Sequence, residues 1–202
     1  MLKIYGIWGC FNLLKSWLFT RLFYPSARLI MLPTDIRGKK NILWGNNFRV
    51  GVGCRLEAYG SDNKILLEIG DNVQLNDYVH ITAMSKVTIG NDVLMASKIY
   101  ISDCTHGNYS NENSLLSSPL VKPSLREMFA KEVVIGNNVW IGESVSILPG
   151  VSIGDGSIVG ANSVVTKSLP ANVIAVGIPA MPIKFYDFEK RCWTQIIKNN
   201  DI

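Results

Sequence analysis

An aliphatic residue recurs every six positions along this chain, and few folds can accept that spacing. The clearest run is Ile135-Gly136, Ile141-Gly142, Ile147, Ile153-Gly154, Val159-Gly160 and Val165. Four positions after each stand Val139, Val145, Val151, Ser157, Ser163 and Leu169. An earlier run holds Ile69-Gly70, Leu75 and Ile81, and it resumes after a two-residue shift at Ile89-Gly90, Met95 and Ile101. Trp44-Gly45, Val50-Gly51 and Leu56 lead into it more faintly. Side chains repeat every two residues on a strand and about every 3.6 on an α-helix, so this period fits neither. It fits short strands joined by sharp corners, with the aliphatic residue inward, the small residue in the corner, and glycine where a β-carbon would crowd the turn. Three hexapeptides close one triangular coil, and coils stack through parallel hydrogen bonds. One coil alone cannot bury its apolar side, so stability comes from stacking. The predicted fold is an all-β solenoid, a parallel β-helix.

The register also marks where the chain leaves the coil. Residues from about 103 to 134 contain no hexapeptide but are bracketed by good ones, so they form a loop excursion, and loops of that length usually serve a site. A smaller break surrounds Ser61-Asp62-Asn63-Lys64. After Ala175 the repeat gives way to Gly177-Ile178-Pro179-Ala180-Met181-Pro182, where the prolines block regular structure. Lys184–Ile197 reads as a helix capping the open end, and residues 5–24 as another helix. The expected organisation is an apolar, basic N-terminal segment over 1–41, read as helical, a β-helix over 42–176, and an extension with a capping helix over 177–202.

Composition bears on the surface. Apolar residues make up 48% of the chain and charged ones 18%, which leaves room for subunit burial. The net charge of +4 is uneven. Lys3, Lys15, Arg21, Arg28, Arg37, Lys39 and Lys40 face a single acid, Asp35, within the first 40 residues. These charges stand among Trp8, Phe11, Leu13, Leu14, Trp17, Leu18, Phe19, Leu22 and Phe23. That mixture suits a membrane surface or a protein partner better than nucleic acid. Lys15 and Arg21 interrupt any run long enough to span a bilayer, and no clear cleavage motif follows the apolar stretch. Peripheral membrane contact through residues 1–30 is the favoured reading, with packing against the body of the protein as the alternative. Cys10, Cys54, Cys104 and Cys192 show neither metal-ligand nor disulfide spacing, so a reducing, cytoplasmic compartment is expected, with the inner membrane's cytoplasmic face as the place of any contact.

The stretch Asn138-Val139-Trp140-Ile141-Gly142, then Ile147-Leu148-Pro149-Gly150-Val151-Ser152-Ile153-Gly154, then Gly160-Ala161-Asn162-Ser163-Val164-Val165-Thr166-Lys167, ending in Gly177-Ile178-Pro179-Ala180, resembles the hexapeptide-repeat O-acetyltransferases. It is similar to the maltose and galactoside acetyltransferases, and more closely to the sugar acetyltransferases of bacterial O-antigen and exopolysaccharide synthesis. The resemblance covers about residues 42–184. It implies a left-handed β-helix, a homotrimer, and acetyl-CoA bound as co-substrate in a cleft between adjacent β-helices. It further implies a sugar acceptor, nucleotide- or lipid-linked.

Acetyl transfer to a hydroxyl needs a base, donors for the oxyanion, and a departing thiol. The chain has two histidines, His80 and His106. The resemblance gives the base to His106, which opens the long loop in Ser102-Asp103-Cys104-Thr105-His106-Gly107-Asn108. His80 is expected to point outward one coil away, in an acceptor-contact or surface role. Asn76-Asp77-Tyr78 stands where the maltose and galactoside enzymes read Asn-Phe-Asn, so Tyr78 replaces the second asparagine and the acceptor contacts need not match. Asp77 is the candidate to orient His106, with Asn76 a possible replacement for the lost asparagine, a turn-stabilising role as the alternative for both, and Asp103 a competitor. Trp140 is expected to wall the site. Backbone N–H groups near Gly142, Gly160 and Ala161 are expected along the pantetheine arm, with Thr166, Lys167 and Lys184 toward the adenine and phosphate end. Met181 stands where the family often has lysine. No metal cluster is visible. Two rivals remain: an N-acyltransferase on an amino sugar or other small amine, and a non-enzymatic β-helix that binds or assembles.

Overall fold

The computed structural model describes residues 2–109 and 117–196 and is a three-sided left-handed parallel β-helix. The first sheet has nine strands, the second six and the third five. Going round one coil, Val87–Ile89 lies in the third sheet, Leu94–Met95 in the first and Tyr100–Ser102 in the second. The six-residue period becomes three inward columns. Val50, Leu75, Met95, Ile141, Val159 and Ala175 stack in the first sheet, all buried. Leu56, Ile81, Ile101, Ile147 and Val165 stack in the second, and Trp44, Ile69, Ile89, Ile135 and Ile153 in the third. Ile135 pairs directly with Ile89. The coil therefore resumes in register across the excursion.

The corners show what the glycines of the repeat are for. The glycines that follow the aliphatic residues, such as Gly142 and Gly154, are not among the residues with positive φ. Positive φ falls two residues later, on Asn47, Asn72, Asp92, Asn138, Ser144, Gly156 and Asn162, mostly types that tolerate the left-handed region. Glycine is needed instead for close stacking, since a β-carbon on Gly142 would stand 2.6 Å from the backbone nitrogen of Ala161 in the next coil. A side-chain ladder pins the edge between the third and first sheets: the Asp71 N–H donates to Asn91 (2.8 Å), that of Asn91 to Asn137 (2.8 Å), and that of Asn137 to Asp155 (2.7 Å).

The excursion is clasped at its base. Cys104–His106 pairs antiparallel with Met128–Ala130, after which Val133–Ile135 re-enters the third sheet. Its centre, residues 110–116, lies outside the described residues. At the N-terminus Leu2–Phe23 is helical as expected, with a kink at Gly6 (φ 62, ψ −178), but the β-helix starts before residue 42. Leu29–Ile30 already pairs with Arg49–Val50, and Asp35–Arg37 with Arg55–Glu57. These strands are too short to display a period in the sequence.

The C-terminal capping helix is not formed over the described residues. Met181–Asp187 and Cys192–Gln195 make an antiparallel hairpin on the last parallel strand, Val173–Val176. An open edge would expose unpaired N–H and C=O groups, and the hairpin covers it. Phe185, Tyr186, Trp193 and Thr194 are strand-favouring residues, and the Tyr186 and Trp193 rings meet edge to face at 5.3 Å. Ile197 lies outside the described residues.

Candidate active site

The candidate residues distribute over two sides of the prism, the first and second sheets, and over two of its edges. His106 ends the strand Cys104–His106 opposite Met128, at the edge between the second and third sheets. Its backbone carbonyl accepts from the Tyr109 hydroxyl at 2.6 Å, and Gly107 follows at φ 108. The imidazole is exposed and has no hydrogen-bond partner among the described residues. It is free to meet a substrate. Thr166 and Lys167 are exposed at the same edge, two coils further on.

Asn76, Asp77 and Tyr78 turn the opposite edge, between the first and second sheets. Asp77 Oδ1 accepts the Val52 N–H at 2.8 Å, and no hydrogen bond joins it to His106 within this chain. That is the turn-stabilising alternative. Asp103 is likewise committed: its carboxylate is buried and accepts the N–H groups of Met84, Ser85 and Lys86 at 2.7–3.0 Å, which fixes a corner. Asn76 Oδ1 accepts from Gln74 Nε2 at 3.0 Å. Tyr78, with φ 59, lays its exposed ring over Gly53, where a β-carbon would meet it at 2.5 Å.

Gly142, Gly160 and Ala161 continue that edge. The N–H groups of Gly142 and Gly160 donate to the carbonyls of Val159 and Ala175, both at 2.8 Å. The parallel ladder consumes them, so they are not free to donate to the pantetheine arm as the sequence-based reading expected. No backbone acceptor takes the Ala161 N–H among the described residues, and it is the group in this stretch left for a ligand. Trp140 faces outward on the first sheet, half exposed, between Leu94 and Ile158. Lys184 lies on the same sheet, in the hairpin, opposite Ile174 and Gln195. Trp140 and His106 thus belong to different sides of one chain.

His80 is not the simple outward residue expected from its position. Its Nε2 lies 2.9 Å from Glu57 Oε2, Arg55 Nη2 lies 3.3 Å from its Nδ1, and its ring packs against Tyr100 at 5.3 Å. Burial alone would raise the Glu57 carboxyl, but hydrogen bonds from His80, Tyr59 and Thr82 and the charge of Arg55 outweigh it and hold the carboxyl below its ordinary value. The stabilisation from this depressed acid is present above the ordinary value of 4.5 and is lost as pH falls through the lower folded value. Glu57 was missed in the sequence, although a signal existed. After the inward residues of the second sheet stand Glu57, Thr82 and Ser102, polar where the third sheet holds Gly45, Gly70 and Gly90.

Among the described residues no group of three or more His, Cys, Asp or Glu could hold a metal ion. Residues 132–167 match the family model for the bacterial transferase hexapeptide (six repeats). The chain is 45% identical over 191 residues, 95% of each chain, to the putative lipopolysaccharide biosynthesis O-acetyl transferase WbbJ of Escherichia coli. To the galactoside O-acetyltransferase of the same organism it is 35% identical, over 75% of this chain and 70% of that one. Among solved structures, a variant of AntD from Bacillus cereus superposes with a TM-score of 0.66 at 25% identity, covering 81% of this chain and 84% of that one. AntD is an N-acyltransferase, and its structure holds coenzyme A and dTDP-4-amino-4,6-dideoxyglucose.

The chain belongs to the hexapeptide-repeat acyltransferases and is an enzyme that draws its acyl group from acyl-CoA. Within that family it is related to the bacterial sugar O-acetyltransferases.

Proposed function

We propose that the protein transfers acetyl from acetyl-CoA to a hydroxyl of a sugar used in surface-polysaccharide synthesis, with His106 as general base. The observation that carries this is His106 itself: an exposed imidazole without a hydrogen-bond partner among the described residues, on the clasped base of a long loop, in a chain 45% identical to a putative lipopolysaccharide O-acetyl transferase. The imidazole takes the acceptor hydroxyl proton as the oxygen attacks the thioester carbonyl. The tetrahedral intermediate collapses, the C–S bond breaks, and the imidazolium returns the proton to the departing thiolate. The Ala161 N–H, Thr166 and Lys167 supply contacts for the CoA arm and its phosphates. Because Trp140 and His106 lie on different sides of one prism, the site is completed by a neighbouring subunit in a homotrimer.

A second reading, N-acylation of an amino sugar, is favoured by the likeness to AntD, whose structure contains an amino-sugar nucleotide. The product separates the two. After incubation with acetyl-CoA and nucleotide- or lipid-linked sugars, an O-acetyl ester is removed by hydroxylamine, whereas an amide survives. A surviving product overturns the O-acetyl reading.

The N-terminal helix supports placement at a membrane surface. It docks through its small, polar side: Thr20 Oγ1 accepts the Ile30 N–H at 2.8 Å, and Ser16 Oγ that of Leu32 at 3.1 Å. The opposite side exposes Ile7, Trp8, Phe11, Leu14, Leu18 and Leu22, Trp8 at 81%. Lys15 and Arg21 stand at the margins of this stripe, and no acid precedes Asp35. A second copy would bring the same positive charge to the contact, whereas anionic lipid complements it. Among the described residues no helix is long and apolar enough to cross a membrane. The protein is expected to sediment with phosphatidylglycerol-containing vesicles and far less with phosphatidylcholine alone, and a Trp8→Glu/Phe11→Glu variant to lose that binding. Equal recovery of variant and wild type from the vesicles, or no binding to either, contradicts the assignment.

A further inference from the structure

The outward side of the second sheet carries a buried carboxylate that proton transfer at His106 does not use. Glu57 points away from the coil interior, yet it is only 3% exposed. Its Oε1 accepts from Arg37 Nη1 at 2.7 Å and from the Tyr59 hydroxyl at 3.0 Å. Its Oε2 accepts from Thr82 Oγ1 at 3.2 Å, lies 2.9 Å from His80 Nε2, and is 3.4 Å from Arg55 Nε. The same nitrogen of His80 accepts from Arg55 Nε at 3.0 Å and lies 2.8 Å from Arg55 Nη2, so Arg55, His80 and Glu57 form one contact cluster. A buried carboxylate is costly unless paired and fully hydrogen-bonded, and here both oxygens are engaged.

Its partners, by contrast, reach solvent. The Arg37 and Arg55 side chains are about half exposed, His80 is partly exposed, and Tyr59, Tyr78 and Tyr100 show open ring surface. Glu57 therefore holds a shelf of fixed donors and aromatic faces. The column Glu57–Thr82–Ser102 runs straight into Asp103-Cys104-Thr105-His106. At about 3.3 Å of rise per residue, the His106 Cα lies within about 14 Å of that of Ser102. The shelf lies on the second sheet, and the base stands at the edge that bounds it.

Charge narrows what the shelf can hold. Arg37 pairs with Asp35 and Glu57, and Arg55 with Glu57, so two cations meet two anions and no net positive charge is left for a phosphate or a uronic acid. Fixed hydrogen-bond groups beside aromatic rings match a ring with hydroxyl edges and apolar C–H faces.

We propose that Arg55, Tyr59 and His80, held in place by Glu57, together with Tyr100 packed against His80, bind the neutral pyranose ring of the acceptor, with Glu57 as a positioning residue. The assignment rests on the reading of the protein as a sugar acyltransferase. It is tested by saturation-transfer NMR on the His106→Ala protein, which keeps the shelf without turnover. The probes are the methyl glycosides of glucose, galactose, mannose, rhamnose and N-acetylglucosamine, with methyl glucuronide as the charged comparison. At least one neutral glycoside is expected to bind. Adding Glu57→Gln weakens it about tenfold, as does Arg55→Lys, which loses the planar fork, while CoA affinity by calorimetry stays unchanged. Arg55→Lys and His80→Asn, at partly exposed positions, carry the test if Glu57→Gln does not fold. Sugar affinity unchanged in these variants, preference for the glucuronide, or no binding of any neutral glycoside overturns the assignment. Sugar binding without acyl transfer to that sugar would sink the acyltransfer reading and leave the shelf. Transfer to a sugar whose binding ignores all three substitutions would do the reverse.

Discussion

Replacing His106 with alanine is expected to lower kcat about 10²–10⁴-fold, the usual worth of a positioned general base. The KM for acetyl-CoA should not move, because the imidazole handles a proton and the cofactor contacts lie along the coils at Ala161, Thr166 and Lys167. Stability should also be unaffected. The imidazole is exposed and has no hydrogen-bond partner among the described residues, so truncation leaves nothing buried and unsatisfied. Steady-state kinetics and a thermal melt on one preparation check both statements. A melting shift in step with the lost rate would make His106 a structural residue of the loop base. Full activity would move the base elsewhere, with His80 the next to examine.

Gly154→Ala is expected to destabilise the protein by about 3 kcal/mol, whereas Gly160→Ala costs about 1 kcal/mol or less. Both glycines follow an aliphatic residue of the repeat, and neither has positive φ, so backbone strain does not separate them. What separates them is the neighbour. A β-carbon on Gly154 would drive into the backbone of the next coil, meeting the nitrogen of Ala171 and, at 2.6 Å, its Cα. The Gly154 N–H also makes a 3.0 Å rung to Leu169, which the collision would stretch. On Gly160 the nearest atom is Val176 Cγ1 at 2.7 Å, a side chain that can rotate away. Urea unfolding of the two variants measures the difference. Equal destabilisation would mean that glycine serves the corner's conformation rather than coil stacking.

Most of the fold was legible because the inward columns are a direct transcript of the period. Ile89 and Ile135 are far apart in sequence yet adjacent in the third sheet, and the loop between them was legible as a gap in that period. The ends were harder to read. Leu29–Ile30 is two residues long, too short to show periodicity. The segment from Lys184 has no repeat, so its apolar spacing was open to a helical reading; its state was decided by the edge of Val173–Val176, a tertiary demand. The candidate site divides in the same way. His106 was named through the family resemblance, at the start of the loop, and the structure puts it at the loop's clasped base. Glu57 was not legible, since an acid in a faint repeat reads as a solvated face until Arg37, His80 and Thr82 are brought over it by neighbouring coils. Likewise, nothing local says that the Gly142 and Gly160 N–H groups are already taken by the ladder.

The most direct test of the central claim is acceptor-dependent release of free CoA thiol from acetyl-CoA by the purified protein. Nucleotide- and lipid-linked sugars serve as acceptors, with His106→Ala assayed alongside. The account predicts release that requires a particular sugar, delivers the acetyl group to it, and collapses in the variant. An absence of release with every sugar, together with no detectable binding of CoA, would contradict it.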